Sequence, residues 1–297
     1  MDVINNLNNS TSSGHDHISN FLLKKTLPNI ITPLVHIINL SYSNGNFPKC
    51  LKISKVIPLF KSGDKHEVNN YRPISLISSL SKIIERIVFK RLSQYFQCNN
   101  ILTTCQYGFR PKLYTEFAIS DLVTFISNAI ESKKFSVGIF LDLSKAFDSI
   151  DHKILLNKLS HYGIRGHVHK WFASYLSTRS QYVQINNTIS NTLFLNCGVT
   201  QGSILGPLLF NIFINDFVNS SNILKFILFA DDTTLLHSDS DFNNLISSVN
   251  NELYLIYDWV SSNNLRLVKL FLVLQFVLVY SILVFSLTMF VLIELIL

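Results

Sequence analysis

The apolar and polar positions of this 297-residue chain change period several times, and each change marks an element. Residues 1–20 are polar and predict a frayed start. Over residues 18–40 apolar positions recur at helical spacing, interrupted by Pro28 and Pro33, and the run stops at Ser43-Asn44-Gly45-Asn46, a turn composition. Residues 55–61 read as a short strand followed by the turn Ser62-Gly63-Asp64. Residues 70–75 read as an extended basic loop, because Pro73 biases Arg72 away from the helical region. Leu80, Ile83, Ile84, Ile87, Val88, Leu92 and Tyr95 recur at three and four, which predicts an amphipathic helix over 79–96 with a basic outer face. A second helix is predicted over 115–132, with Ala118, Ile119, Leu122, Val123, Ile126 and Ile130 inward. A strand at 136–143, helices near 152–162 and 167–177, a hairpin over 182–195 turning at Asn186-Asn187, and a helix after Pro207 follow. Strands and helices mix without strict alternation, which points to an α+β fold with helices on one side of a sheet.

Two apolar runs rich in β-formers, 226–229 and 233–236, meet at Ala230-Asp231-Asp232. That is the pattern of a buried hairpin with acids at its tip. By itself it is equally the pattern of a plain hairpin with a polar turn. A second apolar strand, Val137-Gly138-Ile139-Phe140-Leu141, also ends in an acid, Asp142, and the Gly-rich turn Gln201-Gly202-Ser203-Ile204-Leu205-Gly206-Pro207 lies between the two. Carboxylates converging from distant strand ends suit hard divalent ions held against a phosphate. Phe147, five residues past Asp142, could lie under the sugar of a nucleotide, although most Phe residues are core. Glycines in the 201–207 turn let backbone approach a ligand, and Gln201 can both donate and accept.

Charge sharpens this picture. The net charge is +6, and residues 49–91 alone hold ten basic residues against three acids, a local +7 that favours an anionic partner. The four cysteines show no CxxC pairing and read as reduced thiols. The Asn/Ser-rich first 13 residues lack the apolar core of a signal peptide.

Taken in order, Asn70-Tyr71-Arg72-Pro73-Ile74-Ser75-Leu76, Gln106-Tyr107-Gly108-Phe109-Arg110, Leu141-Asp142-Leu143-Ser144-Lys145-Ala146-Phe147-Asp148, the 201–207 turn and Phe229-Ala230-Asp231-Asp232 resemble the reverse transcriptases of non-LTR, jockey-like retrotransposons. The resemblance implies a right-hand polymerase with residues 49–135 as fingers and 136–268 as palm, after an N-terminal extension over 1–48. It implies RNA-directed DNA synthesis by two-metal nucleotidyl transfer to a primer 3′-hydroxyl, with Mg2+, or alternatively Mn2+, as cofactor. RNA template, DNA primer and deoxynucleoside triphosphates are the implied partners. Carried over position by position, Asp142 and Asp231 are the metal ligands and Asp232 completes the acidic cluster. Phe147 matches the sugar gate, Gln201, Gly202, Arg72 and Lys61 the nucleotide contacts, and Arg110 a template contact. The rival function is a catalytically inactive retrotransposon relic that binds nucleic acid or is membrane-anchored. An RNA-templated RNA polymerase is disfavoured by Phe147.

Three departures from the family pattern stand out. Thr200 replaces the usual Pro before Gln-Gly, and Lys112-Leu113-Tyr114-Thr115 replaces a small polar run. After Leu267 the primer-gripping hairpin and thumb are missing, as is the endonuclease normally upstream, so a fragment is expected. Residues 270–297 contain no Lys or Arg and one acid, Glu294. As a helix they would span roughly 42 Å, more than a ~30 Å hydrocarbon core, so a helix-like transmembrane tail over 269–297 is one reading. Translation of an A/T-rich stretch out of frame is the favoured one. The expected location is intracellular, in the nucleus or a cytoplasmic ribonucleoprotein, with the membrane a partner only through that tail.

Overall fold

A computed structural model of the chain describes residues 7–280 and 283–293 and divides it into two units made of alternating segments. Met1–Ile101 and Ile150–Ile212 form the first, Leu102–Ser149 and Phe213–Leu297 the second. In chain order the first half contains α1 (Asn20–Ser43), β1 (Ile53–Phe60), β2 (Tyr71–Leu76), α2 (Ser79–Cys98), α3 (Thr115–Glu131) and β3 (Phe135–Leu143). There follow α4 (His152–His161), α5 (Gly166–Leu176), β4 (Arg179–Ile185), β5 (Thr188–Ile189), β6 (Leu193–Leu195) and α6 (Gly206–Ile214). The chain continues through β7 (Lys225–Phe229), β8 (Asp232–Asp239), α7 (Phe242–Ser262), β9 (Leu267–Tyr280) and β10 (Leu283–Ile293). Among the described residues the fold mixes helices with two five-stranded sheets rather than the single sheet expected.

In the first unit the sheet runs β2-β1-β4-β5, with β6 on β4. β1 is antiparallel to β2 and parallel to β4, so the expected basic loop over 70–75 is mostly strand. Pro73 is tolerated there because it pairs with Pro58, where neither residue has an N–H to leave unsatisfied. Ser78 caps α2 by accepting from Leu80 N at 3.2 Å, and Ile83, Ile84, Val88, Leu92 and Phe96 fill its inner face. Trp171 and Tyr175 of α5 stack at 5.5 Å, with Phe47 edge-on to both. The 24-residue α1 runs straight through Pro28 and Pro33, contrary to expectation. Both prolines are exposed, so the carbonyls four residues back lose their partners on the solvent side. Residues 7–19 also fold back: Leu7 is buried, and Asn20 Nδ2 donates to Asn8 O at 3.1 Å. Residues 1–6 of the expected frayed start lie outside the described residues.

The second unit's sheet is antiparallel throughout, in the order β10-β9-β3-β8-β7. Against it α3 packs a narrow stripe in which Ala118 joins Ile227 and Leu236, with Leu122, Phe125, Tyr107 and Phe229 around them. Ile119 and Val123, expected inward, are exposed. The apolar stripe of the helix takes in about half of its circumference, and the packing covers only the edge that carries Ala118, Leu122 and Phe125, leaving Ile119 and Val123 at the other edge.

The helix-like tail is overturned for the described residues. Residues 267–280 and 283–293 are β9 and β10, with Ser136 to Asp142 of β3 paired to Gln275 through Lys269. A continuous Phe/Val/Leu run satisfies either period, and here β3 offers an edge that a helix could not pair with. Among the described residues no helix is long and apolar enough to cross a membrane. Residues 281–282 and 294–297 of the tail lie outside them.

Candidate active site

The hairpin expected around Ala230-Asp231-Asp232 forms as β7 and β8. Phe229 pairs with Asp232, leaving Ala230 and Asp231 as a two-residue turn. Such turns favour positive φ, normally supplied by Gly or Asn, but here Ala230 adopts φ +56°. An alanine in that region costs on the order of 1 kcal/mol, which the surroundings must offset. β3 runs antiparallel to β8, and their ladder ends at Leu141 with Thr233. The next residue on each side is Asp142 and Asp232, so both acids leave the ladder at the same end of the sheet. Asp142 and Asp232 are exposed and Asp231 half-buried. Partial desolvation of its carboxyl, and then the charges of Asp231 and Asp142, raise the Asp232 pKa above its ordinary value. A carboxyl raised by two neighbouring acids is an electrostatic liability unless a cation joins them.

Among the described residues no set of three or more His, Cys, Asp or Glu forms a self-contained metal cage. Magnesium rarely needs one, since it commonly takes one or two carboxylates and fills its octahedron with water and substrate phosphates. Asp142 and Asp231 offer that donor set, so the residues present fit a divalent ion that binds together with a phosphate ligand.

What holds the Ala230–Asp231 turn is a residue the sequence did not assign a role. Gln106 is 2% exposed; its Oε1 accepts from Ala230 N at 2.9 Å and from Gly108 N at 2.7 Å, and its Nε2 donates to Ala230 O at 3.2 Å. At roughly 1 kcal/mol each, three such bonds are enough to offset the Ala230 strain. Tyr107 N donates to Leu228 O and Leu228 N to Cys105 O, both at 2.8 Å, so this segment lies parallel beside β7. A Cβ on Gly108 would come within 2.2 Å of Ala230 N. Phe147 follows β3 through a turn whose Lys145 has φ +44°, and its ring meets Phe109 edge-on at 5.8 Å. Arg110 Nη1 donates to Thr103 O, so the guanidinium braces its own loop.

The expected nucleotide contacts assemble in the first unit. Leu59 pairs with Arg72, and Lys61 N donates to Asn70 O at 2.9 Å, so Lys61 and Arg72 project from one face of the β1–β2 hairpin. Both are exposed. The 201–207 turn is seated on β2: Gln201 O accepts from Ser75 N at 2.9 Å, and Gly202, at φ +111°, leaves only 2.5 Å between a Cβ and Ser75 O. Side chains are excluded there on both counts. Lys61, Arg72, Gln201 and Gly202 are thus brought together in one unit, and Asp142, Asp231, Asp232, Phe147 and Arg110 in the other.

A second unforeseen residue supports the turn. Glu85 on α2 is fully buried; its Oε2 accepts from Ile204 N at 2.8 Å and Leu205 N at 3.4 Å, its Oε1 from Tyr175 Oη at 3.1 Å and Ser81 Oγ at 3.2 Å. Burial pushes its carboxyl up, opposed by the Arg179 guanidinium and these donors. The signal was present in the spacing Ser81, Glu85, Val88, Leu92, which puts the acid on the helix's buried stripe.

Residues 61–269 match the family described as reverse transcriptase (RNA-dependent DNA polymerase). The chain is similar to the probable RNA-directed DNA polymerase from transposon BS of Drosophila melanogaster, with 31% identity over 87% of this chain and 29% of that protein. The RNA-directed DNA polymerase from mobile element jockey of the same species is 30% identical over 86% of this chain and 28% of its own length. The probable polymerase from its transposon X-element is 29% identical over 89% and 30%, respectively. This chain therefore spans less than a third of the length of each of these relatives.

Proposed function

Because the chain belongs to the reverse transcriptase (RNA-dependent DNA polymerase) family, we propose that it is the polymerase part of a non-LTR retrotransposon protein, extending a DNA primer on an RNA template from deoxynucleoside triphosphates. The observation that carries this reading is the emergence of Asp142 and Asp232 at one end of the β3–β8 ladder, with Asp231 in the adjoining turn. Divalent ions bound there, magnesium or manganese, would acidify the primer 3′-hydroxyl and neutralise the leaving pyrophosphate. In this reading Asp142 and Asp231 are the protein ligands, and Asp232 adds negative potential beside them. Phe147, braced by Phe109, excludes a sugar bearing a 2′-hydroxyl. Lys61 and Arg72 meet the triphosphate as charged donors, and Gln201 with Gly202 lets backbone lie close to the nucleotide. Arg110, by donating to Thr103 O, orders the loop that carries Gln106, which supports the template side indirectly.

Primer extension tests the proposal. With oligo(dT) on poly(rA), dTTP and Mg2+, the purified chain should lengthen the primer, and EDTA or Asp231→Asn should stop it. Should the chain add no nucleotide under conditions in which a jockey polymerase does, the reading fails.

A further inference from the structure

Gln106 spends both ends of its amide on a single turn. It accepts the N–H of Ala230 and donates to the carbonyl of the same residue, which is held at positive φ immediately before Asp231. No local sequence pattern requires this, since the two residues are 124 positions apart. The third bond, from Gly108 N to the Gln106 oxygen, ties the amide to its own segment. Gly108 adds a steric stop, because its Cα lies against the Ala230 backbone with no room for a side chain. A glutamine needed only to fill core could be replaced by any residue of similar volume. A glutamine that saturates both polar groups of one strained residue instead sets the orientation of the side chain that follows it.

We propose that Gln106 is a positioning residue for Asp231: through Ala230 it holds the Asp231 carboxylate where a divalent ion can be shared with Asp142. This deepens the polymerase reading and rests on it. Gln106 touches neither ion nor substrate in this account, and its effect passes entirely through the turn.

The test uses the full chain, Mn2+ alone as the probe, and Gln106→Met, which keeps the volume and removes all three bonds. Leu245→Ala, in the buried core of α7 beyond the other end of β8, serves as a variant that lowers stability without touching the turn. Mn2+ binding is followed by electron paramagnetic resonance, and amide exchange at Gly108 and Ala230 by NMR. Gln106→Met should weaken the Asp231-dependent Mn2+ binding by about tenfold or more, the usual effect of losing a ligand's supporting partner. It should also speed exchange at both amides, whereas Leu245→Ala at equal or greater loss of melting temperature should leave Mn2+ affinity within about twofold. Mn2+ affinity of Gln106→Met equal to that of the unaltered chain overturns the proposal, as does an equal loss in Leu245→Ala. If even the unaltered chain shows no Mn2+ binding that Asp231→Asn abolishes, it is the metal reading that fails. In that case unchanged exchange at Ala230 in Gln106→Met overturns the positioning claim as well.

Discussion

Replacing Glu85 by alanine should destabilise the first unit more than any other single change to its polar groups. The carboxylate is fully buried beside Arg179, itself 2% exposed, whose Nη1 donates to Tyr175 O at 3.3 Å. Alanine takes the acceptor from the Tyr175 and Ser81 hydroxyls, both in buried bonds, a loss of about 1–2 kcal/mol each. Leu205 N, also buried, loses its acceptor, which adds roughly 1 kcal/mol. A total of about 3–5 kcal/mol is a large part of the stability of a typical domain, ~5–15 kcal/mol. Glu85→Gln keeps an oxygen for Ile204 N and Leu205 N and turns an amide NH2 toward the Tyr175 and Ser81 hydroxyls, which can accept, so its cost should be about 1–2 kcal/mol. The pH dependence has a definite sign. Burial raises the folded-state pKa of Glu85, so its contribution is complete below the ordinary glutamate range and is lost as pH rises through the raised value. The unaltered chain should therefore lose ground to Glu85→Gln between about pH 4 and about pH 8. Urea unfolding followed by circular dichroism at both pH values measures this. A Glu85→Ala cost below about 1 kcal/mol, or a pH-independent gap to Glu85→Gln, refutes the reasoning.

Three further outcomes follow from the second unit and the β1–β2 hairpin. Partial desolvation and the charges of Asp231 and Asp142 raise the Asp232 pKa, so its contribution to stability also declines as pH rises. Asp232→Asn should melt higher than the unaltered chain at neutral pH, the two should converge below the ordinary aspartate range, and Mg2+ should close the neutral gap; parallel melting curves would show that the cluster carries no repulsion. Phe147→Ala should admit ribonucleotides, and Phe109→Leu, which removes an edge contact worth about 0.5–1.5 kcal/mol, should relax discrimination by up to about tenfold in competition assays. Arg72→Ala should raise the KM for dTTP by roughly tenfold or more with a smaller effect on kcat, since a charge-assisted contact to the triphosphate would be lost; an unchanged KM removes Arg72 from the nucleotide site.

Elements governed by local pattern were legible from the sequence. The β7–β8 hairpin follows from apolar runs on either side of two acids, and α2 from its period of three and four. The positive φ of Ala230 was not legible, because no Gly or Asn marks it and the compensation comes from Gln106, far away in sequence. For the same reason the Gln106 motif could be matched to a family but not given a task. α7 went unforeseen because Asn243, Asn244, Ser247, Ser248, Asn250 and Asn251 are poor helix formers; only Leu245, Val249, Ile256 and Val260 trace its buried stripe. The apolar tail failed for the opposite reason. With almost every position apolar, neither period is visible, and pairing to β3 determines the outcome.

Whether Asp142 and Asp231 act as one metal-binding unit is decided by a double-mutant cycle in single-turnover incorporation of dTTP on poly(rA). Asp142→Asn and Asp231→Asn should each lower the rate by at least about a hundredfold, and the double variant should be scarcely slower than either single one, as expected for groups that work only together. A double variant whose loss equals the product of the two single losses, or a single variant that retains full rate, would contradict the account.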